Sequence, residues 1–228
     1  MHVPDAFLDA PTSVATGAVA VAGVGLALRK ARTELDDRTA PMAGLVAAFI
    51  FAGQMMNFPV GAGTSGHLLG GALAAVLVGP WTGALCISVV LMVQSLFMAD
   101  GGVTALGTNI TLMSLTGCFV GYAVFRALRF VLPQRLGSVA PAAGIAALVS
   151  VPVVALVFTL LYAIGGTAPV AIDDVLTAML SWHLLIGVGE GLVTGLVVAA
   201  VVASRPDLVH GARGLGGSTE LEIRKAAV

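Results

Sequence analysis

Apolar residues in this chain run in long unbroken stretches rather than in alternation. They occupy residues 12–28, 42–60, 66–79, 81–99, 104–128, 139–165 and 177–203. About 20 apolar residues carry a helix through the hydrocarbon of a bilayer. Continuous runs, unlike the two-residue period of a barrel strand, leave the helix as the form that satisfies its own backbone in lipid. The pattern therefore predicts an all-α, polytopic membrane protein of seven transmembrane helices. The third stretch is short and opens among glycines, which predicts a broken or tilted span, and Pro152 predicts a kink in the sixth. Gly117–Gly121 and Gly187–Gly191–Gly195 have the spacing that lets helices approach closely, and Ala43–Ala47 and Ala48–Ala52 repeat it with alanine. Residues 1–205 read as one transmembrane unit and 206–228 as a polar, loosely ordered cytoplasmic tail.

Composition agrees with that reading. Of 228 residues, 58% are hydrophobic and only 10% charged, against about 25% in a soluble domain. A net charge of −1 and the lack of a basic cluster argue against nucleic acid as a partner. Cys86 and Cys118 both lie inside apolar runs and supply no disulfide framework or thiolate cluster. The first residues carry no basic leader, so Met1 is expected to remain in the mature protein.

Charge also orients the chain. Arg29, Lys30, Arg32 and Arg38 separate the first two stretches; Arg126, Arg129 and Arg135 separate the fifth and sixth; Arg205, Arg213, Arg224 and Lys225 follow the seventh. With seven crossings all eleven basic residues fall on one side, which the positive-inside rule makes cytoplasmic. Asp5, Asp9, Asp100, Asp173 and Asp174 fall on the other. The N-terminus is then outside, the C-terminus inside, and the protein sits in the cell membrane as a multi-pass chain.

No nucleotide-binding pattern such as GxxxxGK[ST] is present, so energy for uphill transport would come from a gradient or another subunit. The most specific feature is His2. A free terminus followed by a second-position histidine offers three nitrogens to one ion: the Met1 amine, the deprotonated His2 amide and the His2 ring. Their fused chelate rings impose a plane, which suits nickel(II), copper(II) and, less strongly, cobalt(II), and does not suit zinc, calcium or magnesium. A bulky second residue disfavours removal of Met1. The bland alternative is a flexible terminal residue. The candidate fourth nitrogen is His67, in a glycine-rich break on the same outer face. Gln54, Asn57, Gln94, Asp100, Thr104 and Asn109 gather near outer span ends, and some are expected to hydrogen-bond and orient His67. His183 and Glu190, seven residues apart, share one helix face, where they line a cavity or, as the better-favoured role, tie helices together.

Four ordered blocks carry a family resemblance. Met1-His2-Val3-Pro4-Asp5-Ala6-Phe7-Leu8-Asp9, residues 49–59 with 63–71, residues 100–107 and residues 183–191 resemble the CbiM/NikM family, the substrate-capture components of cobalt and nickel energy-coupling-factor transporters. The similarity runs from residue 1 to about residue 200. It implies a six-helix core plus an extra N-terminal helix, with the N-terminal loop tucked into the protein to bind the ion through Met1, His2 and His67. It implies as partners a transmembrane coupling protein, two cytoplasmic ATPases and often a small accessory membrane protein. The cargo is cobalt(II) or nickel(II), with no resident cofactor. A planar nitrogen set leans toward nickel, and the lack of a visible fused domain toward cobalt and corrin-linked uptake. The Ala43–Ala47 and Ala48–Ala52 faces are the expected docking surface for the coupling protein. One departure is Ala6, where the family usually has glycine, expected to stiffen the turn of the loop.

The rival reading is a rhomboid-like intramembrane serine protease. Gly63-Thr64-Ser65-Gly66 fits a GxSG nucleophile pattern and His183 would be its base. It leaves His2 without a role. A third reading makes the chain a structural membrane subunit whose histidines only pack.

Overall fold

The computed structural model describes residues 1–37, 39–61 and 64–215. Arg38, Arg224 and Lys225 of the charge map and Gly63 of the GxSG pattern lie outside them. The described residues form eight α-helices and one small hairpin. In chain order these are α1 (Ala10–Lys30), α2 (Ala40–Gln54), β1 (Phe58–Gly61), β2 (Thr64–Gly66), α3 (Gly71–Val78), α4 (Pro80–Phe97), α5 (Leu106–Asn109), α6 (Gly117–Val131), α7 (Val139–Gly165) and α8 (Ile172–Ser204). A π-helical stretch, Ile110–Thr116, joins α5 to α6 without a break. Five helical segments are long and apolar enough to cross a membrane: Ala10–Thr33, Pro80–Phe97, Leu106–Val131, Leu136–Gly165 and Ile172–Ser204. α2 is apolar but shorter, at 15 residues.

The third apolar stretch is the irregular one. Its helix, α3, has 8 residues, about 12 Å of rise. Every residue of α3 is buried, as expected of a helix that is apolar all round. Small residues let its neighbours close in: a Cβ on Gly71 would lie 2.5 Å from the Gly117 carbonyl carbon, and one on Gly121 would lie 2.8 Å from Ala72. α6 therefore crosses α3 backbone to backbone through the Gly117–Gly121 pair. The Gly187–Gly191–Gly195 row does the same for α8 against α7, where a Cβ on Gly191 would lie 2.9 Å from the Gly144 carbonyl oxygen.

Contacts gather the connections into two ends. At one end Glu34, after α1, accepts the Trp81 and Thr82 N–H groups at 3.3 and 2.7 Å, capping α4, while Arg213 donates to the Glu34 carbonyl at 2.7 Å. At the other end the N-terminal segment meets the loops after α4 and α7: Gly102 N–H donates to the Val3 carbonyl at 2.9 Å and Thr167 N–H to the Phe7 carbonyl at 3.1 Å. The chain does not leave the bundle at Pro206. Short 3-10 turns at Pro206–Leu208 and His210–Ala212 fold back, burying Val209 and Ala212. A tail loose from Pro206 onward is thus corrected as far as Leu215. Buried Val209 and Ala212 hold it to the bundle together with the Arg213–Glu34 and His210–Tyr122 hydrogen bonds.

Candidate metal centre

Residues 1–9 are bound along their whole length. Asp9 caps α1 by accepting the Thr12 N–H at 2.9 Å, supplying an acceptor that the first turn lacks. Phe7 packs on Phe158 and Tyr162, with ring centroids at 5.8 and 5.2 Å. Ala6 stands at φ 58, so the expected stiffening of this turn is a left-handed backbone that costs an L-residue roughly 1–2 kcal/mol. Asp5 accepts the Thr104 N–H at 2.8 Å, and hydrogen bonds from Thr104 hold its carboxyl below the usual carboxylate range. Asn109 acts as a strand partner: its Oδ1 accepts the Val3 N–H at 2.7 Å and its Nδ2 donates to the Val3 carbonyl at 3.1 Å.

This binding delivers the terminus to the interior. Met1 is 0% exposed and His2 5%. Burial pushes the Met1 amine down to about 4, against an opposing pull from Asp100, so at neutral pH it carries a lone pair. The His2 and His67 rings lie 4.6 Å apart, tilted by 31°. The amine and His183 are both electrostatic neighbours of His67. His2 Nε2 faces Gln94 Oε1 at 3.2 Å, and its Nδ1 faces Asp100 Oδ1 at 3.1 Å. His2 holds the Asp100 carboxyl below its usual range, and Asn57 Nδ2 donates to its other oxygen at 3.1 Å.

His67 is oriented by backbone. Its Nδ1 lies 2.8 Å from the Leu68 carbonyl, which can only accept, so Nδ1 carries the proton and Nε2 the lone pair. Nε2 is buried without a hydrogen-bond partner, which costs about 1–3 kcal/mol if nothing ever meets it. None of the polar side chains expected to orient His67 makes that bond. Gln54 Nε2 instead donates to the Leu69 carbonyl at 2.8 Å. Both Glu190 oxygens accept backbone N–H groups, Leu69 at 2.6 Å and Gly70 at 2.8 Å. Glu190 thereby binds the N-terminus of α3, where a carboxylate complements the helix dipole, and holds the chain next to His67. Both roles weighed for Glu190 are visible: it ties α8 to the start of α3 and, with His67, lines a cavity.

His183 repeats the His67 pattern: Nδ1 meets the Met179 carbonyl at 2.7 Å and Nε2 is buried without a hydrogen-bond partner. Ser65 lies on β2, paired in register with Pro59, not at the head of a helix. No Ser65–His183 hydrogen bond exists among the described residues, so the pair that the protease reading needs is not assembled. Sequence reasoning missed Phe7 with its Phe158–Tyr162 cradle. It also missed the Asp9 cap, although Asp9 three residues before Thr12, with Pro11 between, is a legible helix start.

Side chains alone do not complete a metal site here: among the described residues no three His, Cys, Asp or Glu side chains converge on a point. What does converge is a neutral amine, the His2 ring and the unpaired His67 Nε2. The site is thus nitrogen-rich and depends on the first residues of the chain.

Comparisons with known proteins place the chain among metal-transport proteins. A family model described as "CbiM: Cobalt uptake substrate-specific transmembrane region" matches residues 2–208. The chain is similar to the fused nickel transport protein NikMN of Rhodobacter capsulatus, 36% identical over 221 residues, covering 92% of this chain and 64% of that protein. It is similar to the cobalt transport protein CbiM of Sorangium cellulosum, 35% identical over 217 residues, covering 92% and 94%. Its fold matches the crystal structure of a truncated transition metal transporter with a TM-score of 0.81 at 29% identity, covering 89% of this chain and 99% of that one.

Proposed function

The chain belongs to the CbiM family of cobalt-uptake substrate-specific transmembrane regions, and from that premise we propose that it captures cobalt(II) or nickel(II) at its N-terminus for import. It is a transport component rather than an enzyme, set in the cell membrane by several spanning helices. In the proposed site the Met1 amine, the His2 amide, His2 Nδ1 and His67 Nε2 hold the ion in a plane. Chelation through Nδ1 exchanges its contact with Asp100 for the ion, and the neighbouring carboxylate offsets the incoming charge. Seven crossings with the N-terminus outside present this site to the side from which an ion arrives. The third crossing is made by the irregular chain at 67–70 together with α3.

The energy for import would come from partners: a transmembrane coupling protein and two cytoplasmic ATPases of the energy-coupling-factor type, with a small accessory membrane protein. The Ala48–Ala52 face of α2 is exposed and suits the coupling protein, whereas Ala43 and Ala47 pack inward. Between cobalt and nickel, the planar nitrogen donors favour nickel.

One observation carries this reading: a fully buried terminus beside a histidine whose only free nitrogen is unpaired. The test is the nickel and cobalt content of purified wild type, of His67→Ala and of a chain extended by one residue ahead of Met1. Wild type should retain an ion and both variants should lose it. Undiminished binding by the extended chain would falsify the ligand set, because the extension turns the amine into an amide. A Ser–His pair would be indifferent to that change.

A further inference from the structure

Away from the metal centre, α6 ends among cations that pair with no carboxylate among the described residues. Arg126 and Arg129 of α6 and Arg213 line a cavity of about 300 Å³ together with Tyr122, Gln134 and His210. Arg129 is only 8% exposed. Its guanidinium donates to the Pro133 carbonyl at 3.3 Å and to Gln134 Oε1 at 2.8 Å. Arg213 donates to the Glu34 carbonyl, and Arg126 stands 5.8 Å over the Phe130 ring. None of the three has a carboxylate partner among the described residues. Neutral acceptors orient a guanidinium without cancelling its charge, and a buried charge left without a counter-ion is costly. The last turn of α6 offsets only part of it through the helix dipole.

The cavity therefore has the chemistry of an anion site, and guanidinium forks match phosphate oxygens in geometry. One His210 nitrogen meets the Tyr122 hydroxyl at 3.1 Å, and the other, Nδ1, is buried without a hydrogen-bond partner. Burial, and after it the nearby Arg213 and Arg126, push His210 down to about 4. Its outer wall is apolar. Phe130 lines it and is 79% exposed, and the adjoining Val131 is 77% exposed. In the proposed orientation this end of α6 lies on the basic side of the protein and faces the leaflet that carries anionic lipid.

We propose that this cavity binds the phosphate of an anionic glycerophospholipid, with the phosphodiester among Arg126, Arg129 and Arg213 and the glycerol end of the acyl chains along Phe130. The assignment is independent of the metal reading, since it invokes no residue of the N-terminal site. Native mass spectrometry of the full chain, with Glu220 and Glu222 present to compete, tests it using phosphatidylglycerol and phosphatidylcholine as probes and inorganic phosphate as competitor. Wild type should retain phosphatidylglycerol preferentially, and Arg126→Gln and Arg213→Gln, both at exposed positions, should each weaken retention about fivefold, or about 1 kcal/mol. Arg129→Gln should weaken it further, and a circular-dichroism melt reports whether that buried variant folds. Equal retention of the two lipids, or unchanged retention in both exposed variants, overturns the proposal. Complete displacement by millimolar phosphate overturns the lipid assignment in favour of a free anion.

Discussion

Asn109 shows how one side chain can act for a whole segment. Its amide accepts from and donates to Val3, so it stands in for a β-strand partner at the second peptide after the proposed chelate. Asn109→Ala removes both bonds and leaves buried Val3 groups unpaired, at about 1–3 kcal/mol. The expected result is a nickel affinity roughly 10–100-fold weaker by calorimetry, with the helical bundle intact by circular dichroism. Unchanged affinity would show that the terminus is held by its other contacts. That His2 and His67 come together, their rings 4.6 Å apart, was legible from their residue types and their expected shared face. The nitrogen that His67 offers was not, because it depends on a carbonyl contact at Leu68 that is set by local backbone direction. Asn109 and Gln94 stood out as polar residues near span ends, but only folding shows that one holds Val3 and the other faces His2.

At the scale of elements, α3 is the part that sequence periodicity describes least. Its stretch is apolar enough to count as a span, yet only 8 residues are helical, preceded by a hairpin and four residues of irregular chain. The glycines and Pro59 that break the helix also bring His67 to the centre of the protein. The freed N–H groups of Leu69 and Gly70 then require an acceptor, and Glu190 supplies it from α8, 120 residues away in sequence. Glu190→Gln offers an amide in place of two carboxylate oxygens, so one N–H group loses its acceptor. We expect a lower melting temperature, a loss of roughly 1–3 kcal/mol, together with weaker metal binding as the segment after His67 loosens. A variant that binds metal normally while melting earlier would confine Glu190 to stability. The glycine rows were read correctly as helix contacts because backbone approach depends only on side-chain size and spacing.

The whole molecule has two chemically different ends, one acidic and one basic, and its acid response should follow from both. Hydrogen bonds from Thr12 hold the Asp9 carboxyl below the usual range, as those from Thr104 do for Asp5. Both carboxylates contribute stability at neutral pH that is lost as pH falls through their depressed values. His210 takes up its proton at about 4 in the fold against 6.5 when unfolded. Between those values the unfolded chain holds the extra proton, so stability falls as pH drops. Thermal melting of the detergent-solubilised protein should therefore decline between neutral pH and pH 4, and His210→Asn should flatten the upper part of that decline. A melting temperature constant across the range would contradict this assignment. The sequence by itself determined the membrane class and the helical class, because hydropathy over about 20 residues is a local property. The tertiary structure alone decided which nitrogen of His67 is free, that Glu190 caps α3 and that three arginines share a cavity. Each of these depends on groups far apart in the chain, brought together by how closely small residues let the helices pack.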